Sequence, residues 1–273
     1  MKALISTLTL LLTLMTAPFA ANAQSKLSDF NSYDDASSQI IDQSLWADFL
    51  EKFTTVTEDN QVQFDYAAVT TEAHALLKSY IKSLEMIDPT TLNKEEAFVY
   101  WVNMYNAVTV DEILNKYPVS SILKIRSGLL PGPWKKKLIT VNGTKLSLDN
   151  VEHGILRKFW NEPRVHYAVN CASIGCPNLS TTPFIVEGLD EKLTQAAISY
   201  VNHPRGVTFA KNRLQVSSIY KWFKEDFGTT DENVIAHIQQ YASPALKEKL
   251  ANISTIHKYK YSWKLNSPNT NSE

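Results

Sequence analysis

The chain has no charge excess of either sign and almost no cysteine. Of its 27 basic and 28 acidic residues only Lys2 falls within the first 23, so the remainder carries 26 against 28 and a formal net charge of −2. Nucleic-acid binding normally requires a basic patch or stripe, so that class of partner is not expected. Beyond residue 23 no apolar stretch reaches the roughly 20 residues that a spanning helix needs, and no membrane span is expected. There is no internal repeat and no low-complexity segment. The two cysteines, Cys171 and Cys176, have four residues between them.

What is present starts at the N-terminus. Lys2 precedes a mainly apolar run from Leu8 to Met15, broken only by Thr9 and Thr13, and small residues then end in Ala21-Asn22-Ala23. This is the order of a secretory signal peptide. Residues 1–23 are therefore expected to be cleaved after Ala23, leaving a soluble protein in the periplasm; full secretion would use the same signal. No cysteine stands at the cleavage point to carry a lipid anchor. About 250 residues can bury a full core, and a single globular domain is expected over 44–266. A polar arm rich in Ser and Asp (24–43) and a disordered tail (267–273) would flank it. In an oxidising compartment a Cys171–Cys176 disulfide is the default.

Helical periodicity marks 44–54, 70–84, 94–116, 147–160, 189–202, 217–226 and 231–250. Asn93 followed by Glu96 resembles a capping box, and Pro118 closes the third run. Hairpins are expected over 137–146, through Asn142-Gly143, and over 206–216, around Lys211-Asn212; a lone alternating strand is expected over 164–170. Helices and strands fall in separate groups, so the fold class is α+β: one domain, mostly helical, with a small antiparallel sheet and a buried central helix at 94–116.

Several polar residues break these patterns. Asn103 and Asn106 share an arc of the central helix with Val99, Val102, Val110 and Ile113, where a carboxamide must find partners or cost roughly 1–3 kcal/mol per unsatisfied group. They either tie loops to the helix or line a site. In the helix that Ser147 caps, Glu152 occupies the middle of an apolar arc, where a carboxylate must be paired or neutral, as a general acid or base needs to be. Asp149 and His153, at i,i+4, suit an ion pair or two ligands of one metal; no third and fourth ligand is evident, and no metal or other cofactor is expected. Alternation along 164–170 sends His166 and Asn170 to one face and Cys171 to the other, after which Ala172-Ser173-Ile174-Gly175 forms a turn that can reorient either sulfur. A thiol activated by His166 or His153 competes with a structural disulfide. Tyr220, Trp222, Phe223 and Phe227 have the spacing of core residues, and His74, His203, His237 and His257 read as surface or capping residues.

The run Ala97-Phe98-Val99-Tyr100-Trp101-Val102-Asn103-Met104-Tyr105-Asn106-Ala107, the segment from Leu146 to Leu156, the segment from His166 to Pro177 and the closing Tyr261-Ser262-Trp263-Lys264-Leu265-Asn266 together resemble the family called domain of unknown function 547. The resemblance spans roughly residues 90–266. It implies that Asn103, Asn106, Glu152, His153, His166, Cys171 and Cys176 belong to one family pattern. Two functions are expected. The first is a thiol-dependent hydrolase or acyltransferase, with Cys171 or Cys176 as nucleophile, His166 as base, Glu152 or Asn103 as orienter and the amides of the Ser173–Gly175 turn as oxyanion donors. The second is a non-catalytic binding module in which a disulfide shapes a pocket of Asn103, Asn106, Asp149, Glu152, His153, His166 and Asn170 for a small polar ligand or a peptide. A monomer is expected in either case.

Overall fold

Apolar residues at helical spacing build three helices in the first part of the chain: α1 (Ser44–Phe53), α2 (Thr71–Glu85) and α3 (Lys94–Leu114), with a short hairpin of β1 (Thr54–Val56) and β2 (Val62–Phe64) between the first two. The structure is a computed structural model that describes residues 26–268; the expected signal peptide and residues 269–273 lie outside it. Asn93 caps α3 by accepting from the Glu96 amide at 2.9 Å. The other half of the expected capping box is replaced by a longer reach, because the Glu96 carboxylate accepts from the Ile41 amide at 2.9 Å instead. That bond anchors the segment expected as a loose arm. Phe30, buried in the core, also packs edge-on against Trp101 at 5.2 Å.

Helix α3 is buried on all sides from Glu96 to Val110, as its lack of a polar face requires. The main apolar core forms around it from α1, α2 and the hairpin of β5 (Ile139–Val141) and β6 (Thr144–Leu146). Asn142 and Gly143, at φ 48° and 71°, make the tight turn that their sequence predicts. An earlier two-residue ladder pairs β3 (Arg126–Ser127) with β4 (Leu130–Pro131).

The helix expected over 147–160 forms with a change of winding. Ser147 Oγ accepts from the Asn150 amide at 3.2 Å as its cap, but Asn150–Leu156 is π-helical, and only α4 (Arg157–Trp160) returns to α geometry. Such π segments occur often at functional sites. Over 164–170 the expected strand is corrected to a one-turn helix, α5 (Val165–Ala168). Pro163 sets the first turn, and Glu162 accepts from the Val165 amide through its carbonyl at 3.0 Å and from the Arg164 amide through its carboxylate at 2.9 Å. The apparent alternation is misleading because His166 and Asn170 are themselves buried.

A second core lies around α6 (Leu189–Val201), β7 (Val207–Ala210) and β8 (Arg213–Ser217). The runs expected over 217–226 and 231–250 each split. The first gives α7 (Ile219–Trp222) and α8 (Lys224–Phe227); the second gives α9 (Asp231–Tyr241) and α10 (Pro244–Leu250), where Pro244 ends one helix and Ser243 caps the next. Strand β9 (Lys258–Lys260) then adds in parallel to β8, so this one sheet is mixed while the three hairpin ladders are antiparallel. The fold is a single mostly helical α+β domain, as expected. Helix α5 lies at the seam of the two cores, with Val165 and Ala168 in the first and Tyr167 in the second.

Candidate functional site

At that seam a histidine sits between two carboxylates. His166 is only 3 % exposed, and its Nε2 meets Asp226 Oδ2 at 2.6 Å. Its Nδ1 faces Glu152 Oε1 at 4.0 Å, and its ring stacks on Phe223 at 4.2 Å. Asp226 also takes a two-pronged grip from Arg157, Nε at 2.5 Å and Nη2 at 3.0 Å. Burial works to raise the Asp226 pKa, but the hydrogen bonds from His166 and Arg157 outweigh it and hold the carboxyl far below the usual range. Glu152, 6 % exposed, bonds the Tyr105 hydroxyl, whose pKa is driven well up by burial first and by Glu152 after it. Farther along, Arg157 Nη1 lies 3.1 Å from His153 Nδ1, and His153 Nε2 lies 3.7 Å from Asp149 Oδ1. The π turn serves this arrangement: the Arg157 amide bonds the Glu152 carbonyl five residues back, which carries Glu152 inward while Asp149, His153 and Arg157 stay on one flank.

Beyond α5 the chain forms a tight loop that presents the cysteines. Ala172 takes a left-handed φ of 57°, a conformation that costs an L-residue roughly 1–2 kcal/mol and so requires support from its surroundings. The support is visible. Asn170 Oδ1 accepts from the Ala172 amide at 2.8 Å, Asn170 Nδ2 donates to the Pro177 carbonyl at 2.7 Å, and the Ala172 carbonyl accepts from the Asn266 amide at 3.2 Å. Gly175 lies so close to the C-terminal segment that a Cβ there would stand 2.7 Å from the Ser262 amide nitrogen. The amides of Ile174 and Gly175 bond the carbonyls of Lys264 and Ser262, at 2.8 and 2.9 Å, so they are not free to act as the expected oxyanion donors.

Both cysteines are free thiols in this loop, not the expected disulfide; the Cys171 amide donates to Cys176 Sγ at 3.0 Å. Cys171, partly exposed, has its sulfur within 3.0 Å of the Tyr261 hydroxyl and 3.2 Å of Ser173 Oγ. Burial pushes its pKa up, but hydrogen bonds from Cys176, Ser173 and Tyr261 prevail and bring it below the ordinary thiol value. Cys176 is buried deeper, and desolvation drives its pKa well up. Burial also keeps the Tyr261 hydroxyl protonated, so it remains a donor to the sulfur.

Glu152, His153, Asp149, His166, Cys171 and Cys176 all line one cavity of about 560 Å³. Part of its remaining wall is aromatic: Trp222, Trp263, Tyr261 and Trp134 pack ring to ring at 4.6–5.6 Å. The other predicted residues lie behind it. Asn103 makes a strand-like pair of bonds with Phe184, donating to its carbonyl at 2.7 Å and accepting from its amide at 3.0 Å. Asn106 bridges the Ala168 carbonyl (2.9 Å) and the Asn170 amide (2.8 Å). All three asparagines are engaged with backbone: Asn103 fixes the segment at Phe184, while Asn106 and Asn170 hold the chain that carries His166 and the cysteines. Among the described residues no group of three or more His, Cys, Asp or Glu is placed to hold a metal ion.

Sequence reasoning missed Asp226, Arg157, Tyr105 and Tyr261. Arg157 was within reach, being four residues beyond His153 just as His153 is four beyond Asp149. Asp226 gave no signal, since it stands between core aromatics 60 residues from its partner. Trp222 and Phe223, expected in the core, line the cavity. His237, expected at the surface, is buried against the Tyr167 hydroxyl at 2.9 Å, and burial, aided by the nearby His166, lowers its pKa to about 4.

Residues 89–201 match the model of the family described as "Protein of unknown function, DUF547". No curated protein and no solved structure matches the chain.

Proposed function

We propose that this chain, which carries the DUF547 family domain over residues 89–201, is an exported thiol-dependent hydrolase or acyltransferase with Cys171 as its nucleophile. The observation that carries the reading is the Cys171 sulfur, set in the wall of a cavity with the Tyr261 and Ser173 hydroxyls at 3.0 and 3.2 Å and a pKa below that of an ordinary thiol. A thiolate is the reactive form, and donors around the sulfur favour it. In the same cavity the pair of His166 and Glu152 supplies acid and base. Asp226, not Glu152 or Asn103, orients the imidazole.

In the proposed reaction the thiolate attacks the acyl carbon of an ester or amide. The C–S bond forms as the bond to the leaving group breaks, and the leaving group takes a proton from the His166–Glu152 pair. Water, or an acceptor alcohol or amine, then attacks the thioester and returns a proton to the pair, which releases the acyl product and restores the thiolate. Tyr261 and Tyr105 are protonated donors in the cavity wall, suited to the charge that develops on oxygen. The secretory order of residues 1–23 supports export, with the periplasm as the proposed compartment.

Incubation with p-nitrophenyl acetate followed by intact-mass measurement tests the reading. An acetyl adduct that maps to Cys171 and is absent from Cys171→Ser is expected; an adduct of equal yield in that variant, or none, overturns it. The aromatic wall of Trp134, Trp222 and Trp263 favours a second reading, a ligand-binding module without catalysis. That reading expects Cys171→Ser to keep every measurable function of the chain.

A further inference from the structure

The net charge of the whole protein hides a local imbalance. Residues 124–137, Lys-Ile-Arg-Ser-Gly-Leu-Leu-Pro-Gly-Pro-Trp-Lys-Lys-Lys, contain five basic residues and no acidic one. They fold as the β3–β4 hairpin and the turn after it, which ends at the cavity. Gly128 takes the positive φ of 61° that the tight turn needs, and Arg126 Nη1 bonds the Leu129 carbonyl at 3.1 Å, so the tip is held by local bonds. At that tip Leu129 is 93 % exposed and Leu130 is 49 % exposed. Trp222, 46 % exposed, lines the same cavity as Leu130 and Pro131.

The charges behind the tip are largely uncompensated. Lys136 pairs with the buried Glu112 at 2.7 Å and Lys137 bonds Asn150, whereas Lys124 and Lys135 have no acidic partner among the described residues. Two exposed leucines flanked in the chain by basic residues, with an exposed tryptophan in the lining of the same cavity as Leu130, match the chemistry of an anionic bilayer surface: apolar side chains enter the acyl boundary while cations meet the phosphates. A second copy of the chain is a poor occupant, since a symmetric contact at the tip would set one basic segment against another.

We propose that the β3–β4 hairpin docks the cavity mouth onto anionic phospholipid membranes, with Leu129 and Leu130 inserted and Lys124, Arg126 and Lys135 on the headgroups. Binding needs no substrate and no thiol, so its failure would leave the Cys171 chemistry untouched. The chain from Gln24 to Glu273, which holds every described residue, is sedimented with vesicles of phosphatidylcholine alone and with about one third phosphatidylglycerol added. The anionic vesicles should bind it at least about tenfold better, with binding falling as salt is raised. Leu129→Asp with Leu130→Asp should lose about tenfold of that binding at an unchanged melting temperature, and Lys135→Glu should lose severalfold. Equal binding to both vesicle types, binding to neither, or full binding by the double aspartate variant overturns the proposal. So does self-association of the chain that the double variant abolishes, which would assign the tip to a second copy, or binding to an acidic peptide but not to vesicles.

Discussion

Replacing Asp226 by Asn keeps the shape of the side chain and removes its charge, which is what joins Arg157 to His166. Three contacts depend on that charge, at 2.5, 2.6 and 3.0 Å. The Asp226 side chain is 23 % exposed and that of His166 is 1 % exposed, so solvent replaces little of what is lost. Breaking one partner of a buried pair costs about 3–5 kcal/mol, and the partial exposure puts this case at the lower end, about 3 kcal/mol. For a domain of this size that corresponds to a fall of roughly 6–12 °C in melting temperature. The pH dependence follows from the sign of the shift. The folded pKa lies below the unfolded value, so the stabilisation is complete above the ordinary carboxylate range and is lost as pH falls through and below it. Wild type and Asp226→Asn, melted side by side in calorimetry between neutral and strongly acidic pH, should therefore differ most near neutrality and converge as the acid range is entered. A difference below about 1 °C at neutral pH, or one that stays constant into acid, would refute the reasoning that Asp226 holds the imidazole as a charged partner.

Asn103→Ala leaves the buried amide and carbonyl of Phe184 unpaired and should cost roughly 2–4 kcal/mol in chemical denaturation; because Asn103 does not line the cavity, the alkylation rate of Cys171 in the folded variant should not change. Tyr261→Phe removes a donor at 3.0 Å from the Cys171 sulfur and should raise that thiol's pKa, slowing its alkylation at neutral pH by about threefold to tenfold in a stopped labelling assay. An unchanged rate would mean that the hydroxyl does not stabilise the thiolate.

The central helix and the two long hairpins were legible because each depends on local chemistry. The all-round apolar surface of α3 allows only burial, and Asn142-Gly143 and Lys211-Asn212 supply positive φ where the turns need it. Asn103, Asn106 and Glu152 could be singled out as buried polar groups, since a polar residue on an apolar arc must have a partner. Which partner it has is a tertiary fact, and so the two asparagines proved to be bound to Phe184, Ala168 and Asn170 backbone and not to face the cavity. Over 164–170 the period-two pattern misled because burial of His166 and Asn170 against distant groups mimics an alternating strand. Asp226 was invisible for a related reason: its role comes from Arg157 and His166, which are 69 and 60 residues away. Two cysteines close together in a chain expected to be exported suggest a bridge by composition alone, whereas the loop built on left-handed Ala172 holds them as one amide-bonded buried thiol and one facing the cavity.

Thiol labelling of the folded chain with iodoacetamide across a pH series, quenched and mapped by peptide mass, tests the central claim most directly. Cys171 should alkylate without reductant, faster at neutral pH than in the urea-unfolded chain and with a midpoint below the ordinary thiol value of about 8.5, while Cys176 should stay protected until the protein unfolds. Equal labelling of the two cysteines, a Cys171 midpoint at or above that value, or no labelling of either until reductant is added would contradict the assignment of Cys171 as an activated nucleophile.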